Sequence, residues 1–285
     1  MTDLYSQVLN FFPNLRINDC IERKGKIFYL HENYSVCPHH YDLNKLKQYK
    51  AVITYNSKLY DIFKEKGLNV FKLDGYVLFN MDAFGSLDSG QFADYNNKIS
   101  GISLHCKFRD SYLSWDIAGK RFDVFKEIAE TGKIVTDYYG MQCNSKLEKY
   151  YKGWIGMKGQ SSCWPNSIEE QFVINKYKFN LCFENVYHEL WSYDYISERI
   201  FSCFRAKTIP IYWGCYNIQQ YIPKELFIDF REYKDDINGL VDYMLSIDAD
   251  KYYKMTNAAF DFEKNCKYGR VKNLIEKIKE IEGIK

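Results

Sequence analysis

Residues 178–214 read KFNLCFENVYHELWSYDYISERIFSCFRAKTIPIYWG, a strand, a loop, a helix, a strand and a closing glycine. Residues 179–183 form an apolar run bounded by polar positions, as a buried strand does. A polar, aromatic loop follows from Glu184 to Tyr193, and Asp194 is placed to cap a helix. Ile196, Ile200, Cys203 and Phe204 recur at helical spacing, and Thr208 to Trp213 is β-branched and aromatic. Gly214 stands where the chain is expected to turn sharply. Such a βαβ unit implies a parallel sheet with a right-handed crossover. Ligands of open α/β sheets bind beyond the carboxyl ends of the strands, and Glu198 and Arg199 open the helix at that end. Free N–H groups there favour an anion, and a guanidinium adds a planar, permanent cation suited to phosphate. Alone, the pair is also what any solvated helix start carries.

The rest of the chain extends the same alternation. Strands are expected at 27–30, 51–54, 69–73 and 76–79, with helices at 3–12 and 57–66. The stretch 81–98, rich in Gly, Asp and Asn, is a linker candidate. A second set follows: strands at 99–105, 133–138 and 226–230, and helices at 118–130, 167–176, 235–246, 250–263 and 270–282. Segment 140–166 has no clear period and reads as a loop or insertion. The pattern divides the chain into 1–96, 97–264 and a terminal helix, 265–285, which can pack back on the first unit.

Composition narrows the function. With 285 residues and 46% hydrophobic content, two packed domains are affordable and disorder is not expected. A net charge of +2 argues against a general nucleic-acid binder. No apolar run is long enough to span a bilayer, so peripheral association is the membrane relation still open. Nine scattered Cys without a CxxC pair read as reduced thiols, as in a cytoplasmic protein. Walker A and complete GxGxxG motifs are missing from the sequence, which leaves kinase and dehydrogenase readings without support.

The runs YKFNLCFEN, YISER and TIPIYWG resemble the signature of the α1,3/4-fucosyltransferases, glycosyltransferase family 10, approximately YKFxLxFEN…Y(V/I)TEK…(T/V)(I/V)P(I/V)xxG. Ser197 stands for the usual Thr and Arg199 for the usual Lys, and the loop from Asn185 to Tyr195 looks longer than in compact members. The resemblance implies two Rossmann-like domains facing across a cleft, the glycosyltransferase-B type of α/β fold. It implies an inverting transfer of L-fucose from GDP-fucose to a glycan acceptor, with no metal or other cofactor. Alternatives are another GDP-sugar donor in the same fold, or a non-catalytic sugar-nucleotide or glycan-binding protein. The Golgi members of animals carry a membrane anchor that is not evident here, so a cytoplasmic enzyme of a microbe or virus is expected.

The resemblance also assigns roles. Glu32, in FYLHEN, matches the family's catalytic base, with His31 a weaker alternative. Arg121 and Arg199 are the diphosphate ligands, with Lys120 a rival to Arg121. Glu198 is expected to hold sugar and ribose hydroxyls, Asn185 and Tyr195 to line the donor site, and Glu184 to play a structural part. The string Asp248-Ala-Asp250 reads as helix capping rather than a metal motif. His31, Cys37, His39 and His40 form a Cys/His-rich loop whose spacing matches no standard zinc pattern.

Overall fold

A computed structural model describes residues 15–16, 26–75, 87–105, 113–140, 145–155 and 168–284. The helix expected at 3–12 and the strand expected at 76–79 lie outside the described residues, as do parts of the linker and of the 140–166 segment.

The first sheet contains β1 (Leu15–Arg16), β2 (Ile27–Leu30), β3 (Ala51–Thr54) and β4 (Val70–Lys72), parallel and in that spatial order. Helices α1 (Leu43–Leu46) and α2 (Ser57–Glu65) lie between its strands in sequence. β2 and β3 are buried at every position, as strands covered on both faces must be. Phe28, Leu30 and Val52 pack with Leu59, Phe63 and Leu68 on the α2 side.

The second sheet contains β5 (Ile99–His105), β6 (Val135–Tyr139), β7 (Tyr177–Phe183), β8 (Ile209–Trp213) and β9 (Ile228–Asp229). It is parallel, in the order β6-β5-β7-β8-β9. Helices α3 (Lys120–Glu130) and α4 (Ile168–Asn175) precede β6 and β7, and α5 (Glu198–Arg205) joins β7 to β8. Three more close the chain: α6 (Ile237–Leu245), α7 (Ala249–Asn265) and α8 (Val271–Glu282). Phe122, Phe125 and Ile128 of α3 and Leu240, Val241 and Met244 of α6 pack with one sheet face, around Leu104, Leu181 and Phe183. Ile200, Phe201 and Phe204 of α5 and Ala259 of α7 pack with Cys182 and Tyr212 on the other. Fully burying each of these larger side chains is worth about 1.5–3 kcal/mol.

The strand order places the site. From β5 the chain moves through α3 to β6 on one side, and from β7 through α5 to β8 on the other. The crossovers part between β5 and β7, which opens a crevice at the carboxyl ends of those strands. Helix α8 leaves the second unit and buries Val271, Leu274 and Ile278 against Ile27, Tyr29, Ala51 and Ile53 of the first sheet. The two units are thereby joined through the chain's last helix.

Two local expectations change. Asp194 does not cap α5: Ser197 does, its hydroxyl accepting from Arg199 N, while Asp194 sits at φ +60°. Gly214 is not in the left-handed region that a sharp turn would require. Its missing side chain matters for another reason, since a Cβ there would lie 2.1 Å from Glu184 Cγ. Among the described residues Cys37, Cys182, Cys203, Cys215 and Cys266 are thiols, and no helix is long and apolar enough to cross a membrane.

Candidate active site

Glu184 leaves the carboxyl end of β7 fully buried and organises what surrounds it. Its Oε1 accepts from Ser197 N (2.8 Å) and Tyr212 Oη (3.3 Å), and its Oε2 from Ser197 Oγ (2.7 Å) and Arg199 Nη1 (3.2 Å). The carboxylate therefore ties the strand end to the first turn of α5. The expected structural part of Glu184 is what these bonds describe. The Ser197 hydroxyl, which the family's usual Thr would also supply, is the group that makes this contact. Arg199 keeps its side chain 28% exposed, so the guanidinium borders solvent while anchored at one end. Although burial opposes the charge, Glu198 and Glu184 hold the Arg199 guanidinium above its already high ordinary pKa.

Arg121 arrives at the same strand end from α3. It is 3% exposed, and donates from Nε to Phe183 O (3.0 Å) and from Nη2 to Asn185 Oδ1 (2.6 Å). Lys120, its rival, is exposed. Both arginines thus converge on residues 183–185, one through β7 backbone and Asn185, the other through Glu184.

Glu198 opens α5, is 5% exposed, and its Oε2 has no hydrogen-bond partner among the described residues. Burial raises its carboxyl pKa, with Arg199 and Arg121 opposing and Glu184 adding to the rise. A buried carboxylate oxygen with spare accepting capacity beside two guanidiniums suits a hydroxyl-bearing, anionic ligand.

Glu32 follows β2 in the first unit and is half-buried. Tyr41 Oη donates to its carbonyl (2.6 Å). Its charge acts on the phenols of Tyr41, Tyr55 and Tyr195, all pushed up mainly by burial. Tyr195 also feels Glu184, Arg199 and Glu198, and its ring lies 5.7 Å from that of Tyr55. Tyr195 therefore stands between the carboxylate of the first unit and the charged cluster of the second. His31, the alternative base, lies in a different setting. It is buried, against Tyr29 and His40, and burial lowers its pKa to about 4 instead of leaving it near neutrality.

Sequence reasoning missed the groups that close the crevice. Asp194 accepts from both the amide and the hydroxyl of Ser57 at the start of α2, and Asn56 Nδ2 donates to Leu190 O (2.7 Å). Tyr34 stacks on Trp191 (4.6 Å), which also meets Tyr41 and Trp115. The long aromatic loop after Asn185 is thus the strap between the two units. A cavity of about 480 Å³ lies elsewhere, lined by Lys98, Lys207 and Phe260 near the amino ends of β5 and β8, away from these groups. Asp248 caps α7, as expected, accepting from Lys251 N (2.9 Å).

Residues 111–279, more than half of the chain, match the family described as Glycosyltransferase family 10 (fucosyltransferase) C-term. The chain belongs to glycosyltransferase family 10. Within 71 residues it is 34% identical to an alpha-(1,3)-fucosyltransferase FucT of Helicobacter pylori, covering 25% of this chain and 14% of that protein. Over 97 residues it is 32% identical to the human 4-galactosyl-N-acetylglucosaminide 3-alpha-L-fucosyltransferase 9, covering 33% of this chain and 26% of the relative. These matches span well under half of the curated relatives' own length. Among solved structures, an alpha1,3-fucosyltransferase with GDP superposes at TM-score 0.51 and 15% identity, over 85% of this chain and 68% of that one. An alpha-glucosyltransferase (AGT) in complex with UDP superposes at TM-score 0.60 and 9% identity, over 90% and 72%. Both likenesses speak to the fold, which is of the glycosyltransferase-B type.

Proposed function

We propose that this family 10 protein is an inverting, metal-independent glycosyltransferase that moves L-fucose from GDP-fucose to a hydroxyl of a glycan. The observation that carries the reading is the convergence of Arg121, Arg199 and the unpartnered Glu198 oxygen at the carboxyl end of β7, beside the strand-order switch. Arg199 and the N-terminus of α5 neutralise the departing diphosphate, with Arg121 behind them. These fixed cations supply the charge that a metal would otherwise bring. Glu198 accepts hydroxyls of the donor, and Asn185, held by Arg121, lines the same wall with Tyr195.

Transfer proceeds by attack of the acceptor oxygen on the anomeric carbon. The bond from that carbon to the β-phosphate oxygen breaks, the electron pair leaves with GDP, and the proton passes to Glu32. The aromatic strap borders the acceptor side, where flat apolar rings suit sugar faces. A cytoplasmic site of action belongs to the same proposal, supported by the unpaired spacing of the nine Cys.

The test is incubation with GDP-fucose and a panel of glycans, paired with calorimetry of GDP binding. Fucosylated product and bound GDP are expected, and no GDP binding would exclude the reading. Arg199 in place of the family's usual Lys favours one second reading, the same chemistry with another GDP-sugar. A thermal-shift competition in which another GDP-sugar outranks GDP-fucose would select it.

A further inference from the structure

Outside the donor crevice, metal-ligating side chains gather in the loop after β2. Cys37, His39 and His40 each offer one ligand atom, and these atoms lie within 4.8 Å of one another. A tetrahedral zinc site with bonds of about 2.0–2.3 Å sets its ligand atoms about 3.3–3.8 Å apart, so small side-chain rotations close the gap. The backbone is already folded for it. Val36 N and Cys37 N both donate to Asn33 O (3.1 Å each), and His40 N donates to Cys37 O (3.1 Å). A short 3-10 turn from Pro38 to Tyr41 holds the two histidines, with Pro38 fixing its start.

A second observation points to a ligand. His40 is 5% exposed and its Nδ1 has no hydrogen-bond partner among the described residues. His31 is buried too, its Nδ1 is likewise without one, and its ring centroid lies 6.3 Å from that of His40. Two neighbouring imidazoles with orphaned lone-pair nitrogens in the interior are costly unless something accepts those lone pairs. His39 is exposed and Cys37 half-buried, which gives an ion a route from solvent.

We propose that Cys37, His39 and His40 bind a zinc-class divalent cation, with the fourth position left to water. A thiolate and two imidazoles select such an ion over Mg²⁺ or Ca²⁺. The ion's role is to pin the loop that begins with Glu32, whose carbonyl is already tied to Tyr41 at the loop's far end. It touches no donor atom, so the proposal stands apart from metal-independent transfer, and its test needs no transferase assay.

The test is titration of the chelator-dialysed full chain with Co²⁺ and Zn²⁺. Binding of about one ion per chain is expected, with thiolate-to-cobalt charge-transfer absorption and a rise in the thermal midpoint on adding Zn²⁺. Cys37→Ser should abolish the charge-transfer band. His39→Gln, at an exposed position that leaves the fold intact, should weaken Zn²⁺ binding at least tenfold and cancel the thermal shift. No retained ion at micromolar Zn²⁺, or unchanged affinity in His39→Gln, would overturn the proposal.

Discussion

Arg199 and Glu198 are adjacent in sequence yet do different work, because one side chain borders solvent and the other is enclosed. On the proposed reading, removing the first takes away a charge-assisted contact to phosphate worth about 1.5–3 kcal/mol. Arg199→Ala should therefore weaken GDP binding about tenfold to hundredfold by calorimetry, while Arg199→Lys recovers part of it. Glu32→Gln should cut transfer by about 10²–10⁴-fold with GDP affinity unchanged, as a stopped transfer assay and calorimetry together would show. Equal rates for Glu32→Gln and the parent would remove Glu32 from the chemistry. For Glu198 the sign follows from its raised carboxyl pKa. The folded state binds that proton more tightly than the unfolded chain, so rising pH through the window above the ordinary carboxylate range costs stability. The difference in thermal midpoint between Glu198→Gln and the parent should shift in favour of the variant as pH rises through that window. A shift the other way contradicts the assignment. These residues were legible because FEN, SER and the strand before them are local patterns. The fate of Tyr195 was only half legible, since its partner Tyr55 comes from the other sheet.

At the scale of elements, the junction of β7, α5 and β8 depends on close approach. Gly214→Ala places a methyl 2.1 Å from Glu184 Cγ and 2.5 Å from its Cβ, a side-chain root that Glu184's buried bonds hold in place. A loss of about 1–3 kcal/mol in urea unfolding is expected, and a neutral substitution would refute the packing argument. The reason for this glycine was not legible, because a turn glycine and a close-approach glycine look alike in a sequence. Asp194 misled for a similar reason. An acidic residue shortly before a helix is chemically fit to cap it, and only the fold reveals that Ser57, Asn217 and Tyr221 claim that carboxylate. By contrast, β2, β3 and the helices from α6 onward follow their apolar periodicity within a few residues, since the period of the buried positions is a local pattern whatever packs against it.

For the molecule as a whole, the strand orders set the crevice and two contacts join the units around it: the aromatic strap after β7 and helix α8 on the first sheet. Leu274 is fully buried in that second contact. Leu274→Ala should cost about 2–5 kcal/mol, read as a lower denaturation midpoint. Such long-range docking is carried by residues more than two hundred positions apart, so periodicity could suggest it but not locate it. The most direct measurement is a crystal structure with GDP bound. The expected result has diphosphate oxygens about 2.7–3.2 Å from the Arg199 guanidinium, with Glu32 across the crevice. A nucleotide seated instead in the cavity beside Lys98 and Lys207, at the other end of the strands, would contradict it.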